Sequence, residues 1–261
     1  MNIDFSIVIP TYNNLDLLKK ALLSALVQKN VEIEIIIVDD SVDTVIEEYI
    51  NFIDNIKVRY FHNTPSRGAV KNWNYGLSLA KGDFVILLHH DESFLNEDYL
   101  SRCFVIIKKN NSEIVISNVK VVFQDNIARS NQKSLMLKKI VCHVFPEFLY
   151  LFNLIGPTAT IMIRRNCINN FDNNLVMLVD VDWYIKLIRD RKISFMLGDN
   201  ICSVYGHKDQ ISMNINRDII RRNDELYISN KMPYMSILFY LKRVLMLFIR
   251  NRNKRNNIIW G

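Results

Sequence analysis

Four cysteines in 261 residues, Cys103, Cys142, Cys167 and Cys202, are too few and too scattered for a disulfide framework, and no CxxC pair offers a structural zinc site. A reducing compartment fits that usage. No basic segment, apolar core and small-residue cleavage site precede Phe5, so no secretory signal is visible and a cytosolic location is expected. Internal repeats and low-complexity linkers are also lacking. Apolar runs are broken: Pro146 and Pro157 interrupt the aromatic stretch 140–163, and Lys242 with Arg243 splits the one near the C-terminal end, so neither reads as a membrane span. Acids are missing from Lys231 to Gly261, where seven cations stand, so the formal +6 is a basic tail on a body with 26 cations and 27 acids.

What is present is a folded composition, 49% hydrophobic and 23% charged, in a length that suits one large α/β unit. Short buried strands are read at 6–10, 34–40, 58–61 and 84–89, alternating with helices over 15–26, 44–52 and 69–80. That alternation implies crossovers and a largely parallel sheet, with the strand ends at 10, 40 and 89 on one rim. Ligand crevices form at such rims. Further on, a helix is read over 96–109, strands at 114–123 and 160–164, a helix from Trp183 to Asp190, and two short strands at 193–197 and 201–205.

The polar residues cluster where those strands end. Pro10, Thr11, Tyr12 and Asn13 form a turn that can cradle a base or ribose, or cap the next helix through Asn13 or Asn14. Asp39 and Asp40 follow the second strand and can accept from a nucleobase N–H or cap a helix. Gly68, Lys71 and Asn72 open a helix whose N-terminus suits phosphate, although Arg67 and Lys71 can equally be solvated. An apolar strand then stops at His89, His90, Asp91 and Glu92, an oxygen-rich tip suited to Mg²⁺ or Mn²⁺.

In this order and spacing the blocks resemble family 2 glycosyltransferases, of the kind that build bacterial surface polysaccharides, over residues 5 to about 215. The resemblance implies a Rossmann-like α/β GT-A fold and an inverting transfer from a nucleoside-diphosphate sugar, usually a UDP-sugar, with Mn²⁺ or Mg²⁺ on the diphosphate. It implies that Asp40 meets the uracil, that His90 lies near the ribose and that Asp91 holds the metal. The segment Leu178-Val-Asp-Val-Asp-Trp resembles the block with the catalytic base, which puts Asp180 in that role with Asp182 as the alternative. Two departures stand out: His89 replaces the first acid of the usual Asp-x-Asp, and Ser41 replaces a glycine. Glu92 or His207 is then expected to complete the metal shell. Read as caps, Asp180 would close the helix N-terminus and Asp182 would sit in its first turn.

The expected organisation is a catalytic unit over 1–230, with a nucleotide-sugar half at 1–110 and an acceptor half at 111–215, and a basic amphipathic tail over 231–261. Tyr234, Leu238, Leu241, Leu245 and Phe248 recur at helical spacing opposite Lys242, Arg243 and Arg250, a pattern that lies on an anionic membrane or packs on the domain or on a second copy. The expectation is a peripheral protein on the inner face of the membrane with a lipid-linked or oligosaccharide acceptor. Nucleic acid is not expected, because no reading helix or stacking platform accompanies the basic patch. The alternatives are a nucleotide-sugar-binding module without turnover and a membrane-tethered interaction protein.

Overall fold

Runs of β-branched residues separated by amphipathic helices build a nine-stranded sheet covered on both faces. The computed structural model describes residues 3–123, 128–130, 134–206 and 216–259. The first half contains β1 (Phe5–Thr11), α1 (Leu15–Leu26), β2 (Ile33–Asp39), α2 (Val45–Ile53), β3 (Val58–His62), α3 (Ala69–Ser78) and β4 (Phe84–Leu87). Its strands lie parallel in the order β3-β2-β1-β4. The second half adds β5 (Glu92–Phe94), α4 (Tyr99–Asn110), β6 (Ile114–Phe123), β7 (Ala128–Ser130), α5 (Leu135–Val144), α6 (Phe148–Leu151), β8 (Ile161–Arg164), α7 (Val179–Ile188) and β9 (Ile193–Tyr205). The sheet continues β4-β8-β6-β9-β5, with β7 on β6. Only β5, β7 and β8 run against the common direction, so the sheet is mostly parallel.

Side chains alternate across β1: Ile7 and Ile9 face a core formed with α1, α2 and α4, while Val8 faces a second core formed with α3, α5, α6 and α7. Gly76 is required where α3 crosses the sheet, because a Cβ there would stand 2.5 Å from Val8 Cγ1 and 2.9 Å from Val38 Cγ2.

Several boundaries differ from the sequence reading. The strand expected to reach His89 ends at Leu87, and Glu92 starts β5, which pairs antiparallel with β9. The two strands expected at 193–197 and 201–205 are one, β9, carried through an irregular register by Gly198 at φ +79°. The helix expected from Trp183 starts at Val179, so Leu178 takes the cap position, and Asp180 and Asp182 both lie in the first turn. Asp180 is therefore not a cap.

After β9, helix α8 (Arg217–Lys231), which sequence periodicity did not reveal, and helix α9 (Tyr234–Ile259) return to the domain. Ile228, Met235 and Phe239 are buried in the α3–α7 core. The tail is docked through its first turns, and the apolar stripe splits: Met235 and Phe239 face inward, while Tyr234, Leu241 and Leu245 are exposed. Among the described residues no helix is long and apolar enough to cross a membrane.

Candidate active site

The ends of β1, β2 and β4 converge on one rim, where a cavity of about 560 Å³ opens. The Asp39-Asp40-Ser41 tip builds its frame. Asp39 accepts from the Ser41 N–H at 2.9 Å, the Ser41 hydroxyl at 2.5 Å and the Tyr60 hydroxyl at 2.8 Å, so it is fully buried support and does not line the cavity. Ser41 Oγ in turn accepts from the Asn13 N–H at 2.8 Å, which ties the first rim loop to the second. The serine that replaces the family glycine is thus a strut, and Asn13, which is exposed, does not line the cavity. Asn14 caps α1 through the Leu17 N–H at 3.1 Å.

Asp40 lines the cavity, and its four acceptor positions are all used: Asn63 Nδ2 at 3.1 Å, the Arg67 N–H at 2.7 Å, the Ser66 hydroxyl at 2.6 Å and the Gly68 N–H at 2.8 Å. The anion at the start of α3 is this carboxylate, which fills the place where sequence reading expected a phosphate. Asn72 lines the cavity while bonding Asn63 and the Val38 carbonyl. Lys71 is exposed and does not reach the cavity. Arg67 lies over the Tyr75 ring at 4.1 Å and donates to Asn63.

His89 to Glu92 form the turn between β4 and β5, and all four line the cavity. Burial pushes the His89 imidazole down to about 4, so the ring is neutral at physiological pH; it meets Trp73 edge-on at 4.7 Å. His90 Nδ1 accepts a long bond, 3.4 Å, from the Tyr12 N–H, which joins the turn to the first loop. Glu92 folds back to accept from the His89 N–H at 2.8 Å. Burial, then the charges of Asp91 and Asp180, push Glu92 well above the usual carboxylate range.

Asp180 and Asp182 separate sharply. Asp182 accepts from the Tyr150 hydroxyl at 2.7 Å, pairs with Lys186 at 2.6 Å and does not line the cavity. Asp180 does line it, and burial followed by the charge of Asp91 raises its carboxyl to about 6. The chain leading into Asp180 is held from below. Asp224 of α8, itself buried, accepts from the N–H groups of Val176, Met177 and Leu178, the last two at 2.6 and 2.8 Å.

Among the described residues, three buried side-chain oxygens have neither a hydrogen bond nor an ion-pair partner: Thr11 Oγ1, Thr158 Oγ1 and Asp180 Oδ1. All three residues line this cavity. Unpaired buried polar atoms cost about 1–3 kcal/mol each, and native proteins keep them where a ligand completes them. Sequence reading singled out Thr11 and Asp180 but passed over Thr158, Trp73, Ser203 and Met177. Thr158 lies just ahead of the strand read at 160–164 and Trp73 in the helix that Gly68, Lys71 and Asn72 open; Ser203 and Met177 had no sequence signal. His207 lies outside the described residues. No group of three or more His, Cys, Asp or Glu among the described residues forms a complete metal cage. Mg²⁺ needs less, since it takes one or two carboxylates and completes its shell with water and substrate oxygens. Asp91, with Glu92 beside it, fits that demand.

The sequence profile described as "Glycosyl transferase family 2" matches residues 6–183. The chain belongs to glycosyltransferase family 2. It is 23% identical over 249 residues to Escherichia coli WfgD, UDP-Glc:alpha-D-GlcNAc-diphosphoundecaprenol beta-1,3-glucosyltransferase, covering 94% of this chain and 93% of WfgD. Staphylococcus aureus TarS, a poly(ribitol-phosphate) beta-N-acetylglucosaminyltransferase, is 28% identical over 164 residues, covering 58% of this chain and 28% of TarS. An uncharacterized glycosyltransferase of Rickettsia bellii is 26% identical over 205 residues, covering 73% of this chain, which spans only 28% of that relative's length. The crystal structure of S. aureus TarS 1–349 in complex with UDP-GlcNAc superposes with a TM-score of 0.68 at 19% identity, covering 87% of this chain and 67% of that one. The likeness establishes the GT-A fold: a curled, mostly parallel sheet with flanking helices.

Proposed function

We propose that the chain is an inverting glycosyltransferase that moves a sugar from a UDP-sugar to a saccharide acceptor carrying phosphate, during synthesis of a surface polymer. The observation that carries this reading is the set of three unpaired buried oxygens around one cavity, with Asp180 among them. A displacement at the anomeric carbon needs a base that takes the acceptor hydroxyl proton as the bond forms. A carboxyl raised to about 6 is ionised at neutral pH yet basic enough for the task. Asp182, bound to Tyr150 and Lys186, has no such freedom. The carboxylate pair and the uncommitted base favour turnover over a binding module.

The donor reading rests on the rim loops and on the two relatives whose names give nucleotide-sugar chemistry. Asp40 shapes the 63–68 loop, and a uracil N–H would share one of its occupied oxygens. Thr11 and Thr158 supply unpaired hydroxyls. Among the described residues lining the cavity there is no Lys or Arg, whereas Asp40, Asp91, Glu92 and Asp180 are all present. A diphosphate cannot rest beside those carboxyls without a counter-cation, so Asp91 and Glu92 are assigned as the protein's side of a Mg²⁺ or Mn²⁺ site. When bound, that ion neutralises charge on the departing nucleoside diphosphate. The names of WfgD and TarS both place phosphate in the acceptor, and the same acceptor class is proposed here at a membrane face, with the exposed side of α9 toward the lipid.

The test is transfer from a panel of nucleotide sugars to a diphosphate-linked N-acetylglucosaminyl acceptor, with and without a chelator. Transfer from one UDP-sugar, lowered about 10²-fold or more by EDTA and restored by Mn²⁺, is expected. Full activity in EDTA would remove the metal site, and no transfer from any donor would favour the binding module.

A further inference from the structure

A second, smaller cavity of about 110 Å³ adjoins the first, and Asp180 and Met177 line both. Its remaining wall includes Tyr150, Asn153 and, from α8, Arg221. Arg221 donates through Nε to Glu225 at 3.2 Å and through one terminal nitrogen to the Tyr150 carbonyl at 3.1 Å. Its other terminal nitrogen has no partner among the described residues. Glu225 is shared, because Arg243 of α9 stands 4.0 Å from its other oxygen. Beside them Lys242 donates to the carbonyl of Leu151, the neighbour of Tyr150, and lies 5.0 Å from the Phe152 ring centre, with no ion pair among the described residues. Three cations thus share one acid.

Burial, followed by the charge of Arg221, lowers the Lys242 ammonium to about 8. Cations packed this way are costly unless an anion joins them. Capping the α6 carbonyls explains one contact of each side chain and leaves the excess charge unexplained. A guanidinium with one terminal nitrogen free beside a lysine is suited to a phosphate, which can accept charge-assisted hydrogen bonds from both. The cluster also stands apart from the donor cavity, whose described lining holds no Lys or Arg.

We propose that Arg221, in the wall of this second cavity, and Lys242, held on the carbonyl of its lining residue Leu151, bind a phosphate group of the acceptor and so present its hydroxyl to Asp180. This assignment rests on the glycosyltransferase reading above and adds the place where the acceptor's charge is read. The anion is a phosphate ester or diphosphate, carried on a lipid or on a polyol chain.

The test uses the full chain saturated with UDP, so that the donor site is filled. Calorimetric binding of a short-alkyl diphosphate-linked N-acetylglucosamine is compared with that of a ribitol-phosphate oligomer and of the neutral alkyl glycoside. The protein is expected to bind one phosphate-bearing compound at least tenfold tighter than the neutral one, and whichever binds identifies the lipid or the polyol source. Arg221→Gln and Lys242→Met should each remove most of that preference, and Lys242→Arg should restore it. Equal affinity for charged and neutral compounds, or a preference that survives in both variants, would overturn the assignment. If a variant is unfolded by circular dichroism, the wild-type preference and its decline at high salt decide the matter. Failure of sugar transfer with this binding intact would count against the glycosyltransferase reading alone.

Discussion

Glu34, at the closed end of the parallel sheet, and Asp180, at the open end, are buried carboxylates treated in opposite ways. At the closed end, Glu34 of β2 accepts from the Ser6 hydroxyl at 2.6 Å, Arg59 at 2.6 Å and the Lys81 N–H at 2.7 Å. Burial opposes its charge, but the hydrogen bonds from Ser6, Arg59 and Lys81 prevail and hold it below the usual carboxylate range. At the open end, Asp180 keeps one oxygen unpaired and is raised to about 6, and Glu92 is raised as well. The same chemical group is saturated where it supports the fold and left short of partners where a ligand is to supply them.

The comparison breaks most visibly at Asp180. Asp180→Asn should lower transfer by about 10²–10⁴-fold while the donor still binds, because the amide preserves shape but cannot take a proton. Wild-type activity should rise with pH through about 6 as the carboxyl ionises, and residual activity in the variant should lose that limb. Rate profiles between pH 5 and 8 measure this, and a variant retaining the limb would move the base elsewhere.

A smaller effect is expected one step behind the base. Asp224→Asn removes an oxygen that accepts from three successive N–H groups ahead of Asp180. A tenfold loss in kcat corresponds to about 1.4 kcal/mol of misplacement, and we expect a loss of about that size with donor KM unchanged. Asp224→Glu should recover part of it. An equal loss in both parameters would reduce Asp224 to a general support.

These contrasts also show what the sequence could reveal. The strand ends were legible because apolar runs stop abruptly at acids, as at Val38-Asp39-Asp40 and Leu88-His89-His90-Asp91. Which acid is free was not legible: Asp39 and Asp40 look alike in sequence, yet one braces Ser41 and Tyr60 while the other holds the 63–68 loop. The choice between Asp180 and Asp182 likewise depends on Tyr150, thirty-two positions away. Helix α8 escaped notice because its buried face presents Asp224, Glu225 and Ile228, which break the apolar period while serving α7 and the cation cluster. The departure at His89 reads in sequence as a lost charge, and the structure shows a neutral ring packed on Trp73.

The smallest effects separate the two ends by stability alone. Glu34→Gln should cost about 1–3 kcal/mol by leaving Arg59 without its partner, with no change in donor KM. The signs with pH are opposite. Glu34, held below its ordinary 4.5, contributes stability that is present above that value and lost as pH falls, so the gap between wild type and Glu34→Gln should close in acid. Asp180 is raised from 3.8 to about 6, so the folded state binds its proton more tightly than the unfolded chain and stability falls as pH rises through that interval. Asp180→Asn should therefore be more stable than wild type above pH 6, by on the order of 1–3 kcal/mol, and equal to it below pH 4. Urea unfolding at pH 4 and pH 7 measures both. A wild type that outlasts Asp180→Asn at pH 7 would mean that the carboxylate has a partner in the folded protein, and the contrast between the two ends of the sheet would fail.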